Sequence, residues 1–335
     1  MVSRCAFRRR FTPMLASGLA LSTAFAPASA IACACGCGIF DVGVGAITPQ
    51  DADSGLSVFA RVSTMDQRDN RAQGHAASAD DNPDKRITTD FYTLGATYMV
   101  KHRWLIMAEL PVYHRQFTTT GSDTNGQDVI ETVPLTAPGD ALLRVTYTGF
   151  SPAMTTGLGL GVKLPTGRVT GPTDRYGNQP YDRDTMPGTG STDVEFSGYH
   201  VGRLAGAARW FVQAQARFAV ATRDHYRPGN EFNGAAGVAY DLAAGKTTLS
   251  PSLQLTASTR GRDSGANADP LNSGYQRLLL APGLRVQVTR KLSVYAELAI
   301  PIAQYVNAAR ASDNADSSGQ LVAPRLLSVQ VNYGF

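Results

Sequence analysis

The last nine residues, LSVQVNYGF, split into two faces: Leu327, Val329, Val331, Tyr333 and Phe335 on one side, Ser328, Gln330, Asn332 and Gly334 on the other. A repeat of two is the period of an extended strand with one apolar and one polar face. The pattern returns in GLGLGVKLPTG and TLSPSLQLTAS and continues from Gly55 to the C-terminus. It predicts twelve strands, at about 55–65, 87–101, 104–117, 139–150, 153–164, 191–203, 207–222, 231–243, 247–260, 275–288, 291–306 and 322–335. Most exceed the roughly 5 to 6 residues of an ordinary soluble strand and are long enough to cross a bilayer at a tilt.

The connections alternate too. Long polar links follow the odd strands, at 66–86, 118–138, 165–190, 223–230, 261–274 and 307–321, and tight turns follow the even ones, as at His102-Arg103, Ser151-Pro152 and Thr289-Arg290. Long loops on one rim and short turns on the other fit an all-β, transmembrane, antiparallel up-and-down barrel of the outer-membrane type. Closure has a physical cause, since an unpaired backbone amide in hydrocarbon costs several kcal/mol and a closed sheet has no free edge. Aromatics near the expected strand ends, among them Trp104, Tyr147, Trp210 and Tyr333, suit the two membrane interfaces. A terminal Phe335 after alternating apolar residues resembles the signal read by the barrel-assembly machinery of Gram-negative outer membranes. The expected surroundings are outer-membrane lipid and lipopolysaccharide.

Residues 1–30 read as a secretory signal peptide: Arg4, Arg8, Arg9 and Arg10, the apolar run MLASGLALSTAFA, then Ala-Ser-Ala ending at Ala30. The formal charge of +4 falls to zero once those four arginines are removed. The mature chain then has no basic excess for counterion release, which argues against nucleic-acid binding. Beyond Ala32 no apolar run approaches the roughly 18 to 20 residues of a spanning helix. Residues 31–54 form an N-terminal segment on the periplasmic side or in the lumen, and 55–335 form the barrel.

With Phe335 facing lipid, parity assigns the inward side chains. The candidates are Arg61, Arg144, Lys163, Arg209, Arg217, Arg277 and Arg285, with Glu109, Glu195 and Glu297; Asp140 and Asp193 join them. These charges read equally as an arginine track for anionic or amphipathic solutes or as ion pairs filling a small barrel. Gly157, Gly159 and Gly161 on one inward face leave space in the lumen or mark strand curvature.

PGDALLRVTY (Pro138 to Tyr147) and GLGLGVKLPTGR (Gly157 to Arg168) resemble an outer-membrane family associated with the MetA pathway of phenol degradation, through a Gly-Asp strand start and a KLPTG strand end. The resemblance covers Phe91 to Phe335 and implies a transporter-like channel for small solutes, hydrophobic or aromatic ones included. It supplies no catalytic residues.

An enzyme is not expected. None of His75, His102, His114, His200 or His225 has serine two positions away, and adjacent Asp224 and His225 would point to opposite sides of an extended chain. The segment IACACGCGIF carries Cys33, Cys35 and Cys37. An odd number of thiols cannot all pair within the chain, and bridging i to i+2 strains a disulfide. Three thiolates sharing one side could hold Cu(I) or Zn; acylation at Cys33 or linkage to a periplasmic partner are the other readings. The alternative to a channel is therefore an accessory barrel whose cysteine segment binds metal or docks that partner.

Overall fold

The computed structural model describes residues 55–178, 181–308 and 319–335. The expected leader and the cysteine segment, with Cys33, Cys35 and Cys37, lie outside the described residues. Twelve wall strands follow in chain order: β1 (Gly55–Gln67), β2 (Asp84–Val100), β3 (Trp104–Ser122), β4 (Asp128–Pro138 continued by Ala141–Tyr147), β5 (Thr156–Leu164), β6 (Thr192–Arg203), β7 (Ala208–Ala221), β8 (Glu231–Tyr240), β9 (Thr247–Arg260), β10 (Tyr275–Gln287), β11 (Leu292–Val306) and β12 (Leu326–Gly334). Each pairs antiparallel with its neighbours in sequence. β1 closes the ring on β12, with Ser57 opposite Gly334 and Met65 opposite Leu326.

Burial follows the two-residue period. On β1, Phe59, Arg61, Ser63 and Met65 are buried while Val58, Ala60, Val62 and Thr64 are exposed. On β12 the exposed residues are Leu327, Val329, Val331 and Tyr333. Exposed apolar side chains thus face out and polar ones in, the inverse of a soluble protein and the arrangement a lipid solvent requires.

The apolar band has a readable upper edge. Tyr92 on β2 pairs with Val112 on β3, and the next outward pair is Asp90 with His114. Beyond that level the strands rise out of the bilayer. The lower edge carries stacked rings: Trp104 and Tyr147 at 4.8 Å, Tyr147 and Phe150 at 4.9 Å, Tyr333 and Phe335 at 5.2 Å.

The link expected over 118–138 is mostly strand. β3 runs to Ser122 and β4 starts at Asp128, so the turn is Asp123 to Gln127, whose backbone N–H groups at Asn125 and Gln127 donate to Asp123 Oδ1 at 2.8 Å. Alternation of Val129, Glu131, Val133, Leu135 and Ala137 with outward residues continues through this stretch; its threonines, prolines and glutamate made it look like loop. The raised wall holds an apolar cluster above the bilayer in which Tyr181 and Met186 from the connection after β5, and Leu321, pack on Ile87, Phe117, Val133 and Leu135. Each such side chain buried contributes about 1.5 to 3 kcal/mol. The long connections therefore fold over and into the barrel mouth.

Candidate functional site

The lumen's main device begins with a proline. Pro111 on β3 has no N–H to give the ladder. β3 goes from Glu109 to Val112 while β4 goes from Leu142 back to Pro138, so β4 carries one extra residue. This bulge inverts parity: Ala137 faces in above it, Leu142 and Arg144 below it. Gly139 N–H donates to Pro111 O at 2.9 Å, and Asp140 is freed to point inward.

Asp140 is the centre of a knot. Its Oδ2 accepts from Lys163 Nζ at 2.8 Å, from Thr189 N–H at 2.9 Å and from Thr189 Oγ1 at 2.8 Å; its Oδ1 accepts from Gly167 N–H at 2.9 Å. Thr166 Oγ1 donates to Gly139 O at 3.1 Å and accepts from Ala141 N–H at 2.8 Å. The Gly-Asp start of β4 and the Lys-Leu-Pro-Thr-Gly end of β5 are therefore two halves of one structure. Its counterpart is the described part of the connection after β5, 165–178 and 181–191, whose Asp184, Met186, Pro187 and Thr189 reach the lumen. Gly167 and Gly188 pass so close that a Cβ on Gly167 would lie 2.5 Å from Gly188 Cα, a contact only glycine permits. Arg183 donates to Thr189 O at 2.9 Å and to Gly188 O at 3.2 Å, and Arg115 Nη1 donates to Thr185 O.

Below the loop lies a cavity of about 160 Å³. Its wall carries five cationic side chains, Arg61, Arg115, Lys163, Arg217 and Arg260, and five carboxylates, Glu109, Asp140, Asp184, Asp193 and Glu231. Three of the cations, Arg61, Lys163 and Arg217, are paired with carboxylates across strands. Lys163 also meets Asp193 at 3.0 Å, and Arg61 meets Glu109 at 3.8 Å. Glu195, fully buried, accepts from Arg144 Nε at 2.7 Å, Arg217 Nη2 at 2.8 Å and Gln215 Nε2 at 2.5 Å, and Arg217 reaches Glu231 at 3.4 Å.

Of the other inward candidates, Arg209 pairs with Asp241 at 2.8 Å near the short-turn rim. Glu297 accepts from Gln254 at 2.5 Å and from Tyr295 at 2.6 Å. Arg285 donates to Gln287 at 2.7 Å, and Arg277 lies over the Tyr275 ring at 4.7 Å. The three β5 glycines do not leave an open groove. A Cβ on Gly157 would lie 2.2 Å from the Tyr199 ring, and one on Gly161 3.3 Å from Glu195, so neighbouring side chains lie across them. Sequence reasoning missed Arg115, although it shares the inward parity of Glu109. Asp184, Met186 and Thr189 carried no periodic signal, because they belong to a connection.

Two carboxyls above the bilayer are buried without full pairing. Asp84, at the outermost end of β2, is 1% exposed; Thr119 Oγ1 donates to its Oδ1 at 2.9 Å, while Oδ2 has no hydrogen-bond partner among the described residues. Burial, opposed by the Thr119 hydrogen bond and aided by the charge of Asp184, pushes it up to about 8. Asp182, in the folded-in connection, is raised well above the carboxylate range by burial and then by Asp184, Asp84 and Asp269.

The wall is also irregular at the seam between β11 and β12. The β11–β12 ladder stops at Ala299 opposite Leu326, while β11 continues to Val306 on β10 with a bulge at Ile302. A small cavity of about 40 Å³ opens there, lined by Met65, Leu279, Ala299, Pro301, Val306 and Leu326 among others. Ile300, Ile302 and Tyr305 are exposed beside it.

No family model matches the sequence, and no curated protein matches it. Among solved structures the chain is similar to an outer-membrane channel from Pseudomonas putida F1, with a TM-score of 0.61 at 14% identity over 88% of this chain and 100% of that one. It is also similar to the β domain of the Bordetella autotransporter BrkA, TM-score 0.49, 14% identity, 84% and 100% covered, and to the Ralstonia pickettii toluene transporter TbuX, TM-score 0.42, 11% identity, 88% and 95% covered. Together with the closed ladder and the apolar outer face, the first likeness makes the fold that of a twelve-stranded outer-membrane β-barrel.

Proposed function

We propose that the chain is an outer-membrane channel for small solutes, which cross through the lumen beneath residues 181–191 of the connection after β5. The observation that supports this reading is the cavity at the knot, where cationic and anionic side chains are equal in number and Arg61, Lys163 and Arg217 are paired with carboxylates across strands. A guanidinium already matched to a carboxylate offers little to an anion, so size and dipole, rather than net charge, set what passes. Small neutral or zwitterionic solutes fit that lining best. The fold likeness to a Pseudomonas putida F1 outer-membrane channel agrees with transport rather than catalysis. The test is swelling of proteoliposomes in solutes graded by size and charge. Faster entry of small neutral solutes, with little difference between equal-sized anions and cations, supports the proposal; no swelling leaves the accessory-barrel reading, in which the ion pairs seal the lumen.

The seam between β11 and β12 favours a second reading for apolar or aromatic solutes. Its lining is mostly apolar, with Gln276, Arg277, Gln304 and Arg325 as its polar members, and the exposed Ile300, Ile302 and Tyr305 lie beside it, so such a solute would leave the wall sideways into lipid. Uptake of a fluorescent apolar probe, blocked by Ala299→Trp while polar solute entry is unchanged, distinguishes the two routes.

A further inference from the structure

The charges on the short-turn rim are one-sided. Lys101 and Arg103 flank the β2–β3 turn, Arg203 the β6–β7 turn, Lys246 the β8–β9 turn, and Arg290 and Lys291 the β10–β11 turn; all six are exposed. None of them takes part in an ion pair among the described residues. The one carboxylate side chain on the five turns is Asp241, held by Arg209 at 2.8 Å and by Ser250 at 2.6 Å. Against these six cations the described turns offer no carboxylate side chain other than Asp241. The opposite mouth differs: Arg86 pairs with Asp66 and Arg175 with Glu131.

The tightest turn shows how the charge is kept. Arg103 N–H donates to Val100 O at 3.0 Å, which leaves Lys101 and His102 as the two central residues, at φ of 50° and 53°. Such a hairpin turn favours Asn-Gly, and here Lys101 and His102, both exposed, hold the left-handed backbone instead. The rim lies directly under the ring stacks of Trp104, Tyr147 and Phe150, which sit where hydrocarbon gives way to headgroups. Lysine and arginine just beyond such a girdle extend to the phosphate level of the leaflet.

We propose that the short-turn rim is a cationic collar that binds the headgroups of anionic phospholipids in the periplasmic leaflet. The height of the cations, the absence of ion-pair partners for them among the described residues and their spread over four turns suit a ring of lipid phosphates better than a compact acidic protein. A cation near a charged bilayer surface is worth roughly a fivefold preference, so even two in contact with one headgroup select strongly.

The mature chain, refolded into nanodiscs of phosphatidylethanolamine and phosphatidylglycerol and then extracted into detergent, should retain phosphatidylglycerol enriched at least fivefold over the bulk ratio. The enrichment should vanish in half-molar salt, where exposed charges are screened within a few ångströms. The quadruple variant Lys101→Ser, Arg103→Ser, Arg290→Ser, Lys291→Ser should retain lipids in the bulk ratio. Bulk-ratio lipid on the wild-type chain, or enrichment that survives both salt and the substitutions, would overturn the proposal. If the variant does not fold, the salt titration of the wild type decides alone. None of these outcomes depends on whether the barrel conducts.

Discussion

Asp140→Asn is the substitution that most directly tests the knot. The change keeps the volume and one acceptor oxygen, so Gly167 N–H still has a partner, while the charge facing Lys163 is removed. The side chains of Asp140 and Lys163 are only 5% and 7% exposed, and removing one partner of a buried pair costs about 3 to 5 kcal/mol. Lys163 retains Asp193 at 3.0 Å, which argues for the lower end, about 3 kcal/mol, or more than a hundredfold in the ratio of docked to undocked loop. The reporter is Arg183, half-buried in that loop and bonded to Thr189 O and Gly188 O. Trypsin should cut after Arg183 at least tenfold faster in the variant, and single-channel conductance should rise as the loop leaves the lumen. Asp80→Asn, on an exposed loop, is the control and should change neither. An Asp140→Asn protein with Arg183 still protected and conductance unaltered would refute the view that Asp140 pins the loop.

Three further predictions follow from named contacts. The carboxyls of Asp84 and Asp182 are raised in the folded state, so the fold binds more protons than the unfolded chain; their contribution is fully present below the ordinary value of 3.8 and is lost as pH rises through the folded value, about 8 for Asp84. Protection of Arg183 from proteolysis should therefore weaken from pH 4 to 8 in the wild type and weaken less in an Asp84→Asn, Asp182→Asn double variant; a flat wild-type profile would contradict this. Glu195→Gln leaves Arg144 and Arg217 without the carboxylate they share, so reversal potentials in a salt gradient should shift toward anion preference, whereas an unchanged potential would place the network off the permeation path. Replacing Lys101 by Asn and His102 by Gly relieves left-handed strain of roughly 1 kcal/mol per residue, and should raise the urea midpoint of the refolded barrel; a lowered midpoint would show that the charged pair stabilises the fold instead.

How much of this was legible beforehand depends on what the two-residue period can encode. It located the twelve strands and the tight turns, because in a lipid solvent every outward residue of the band must be apolar and the pattern is renewed in each strand. It also gave parity, which is why Arg144 and Glu195, on different strands, could be assigned to one face. It did not extend to the raised hairpin of β3 and β4, where both faces meet water and the outward set includes Thr132, Pro134 and Thr136. The bulge at Gly139 and Asp140 was visible only as a motif. Its cause, a proline opposite that cannot donate, needs the register, and register is a property of two strands rather than one. The folded-in loop left no periodic trace, since Tyr181, Thr185 and Met186 are held by contacts with β2, β3 and β4 and not by a pattern of their own.

Single-channel recording of the refolded protein in planar bilayers is the most direct test of an open, charge-balanced lumen. Small, discrete conductance steps with a reversal potential near zero in a salt gradient are the expected result. A membrane that stays silent while the barrel is demonstrably inserted, or steps that pass only anions or only cations, would contradict the account.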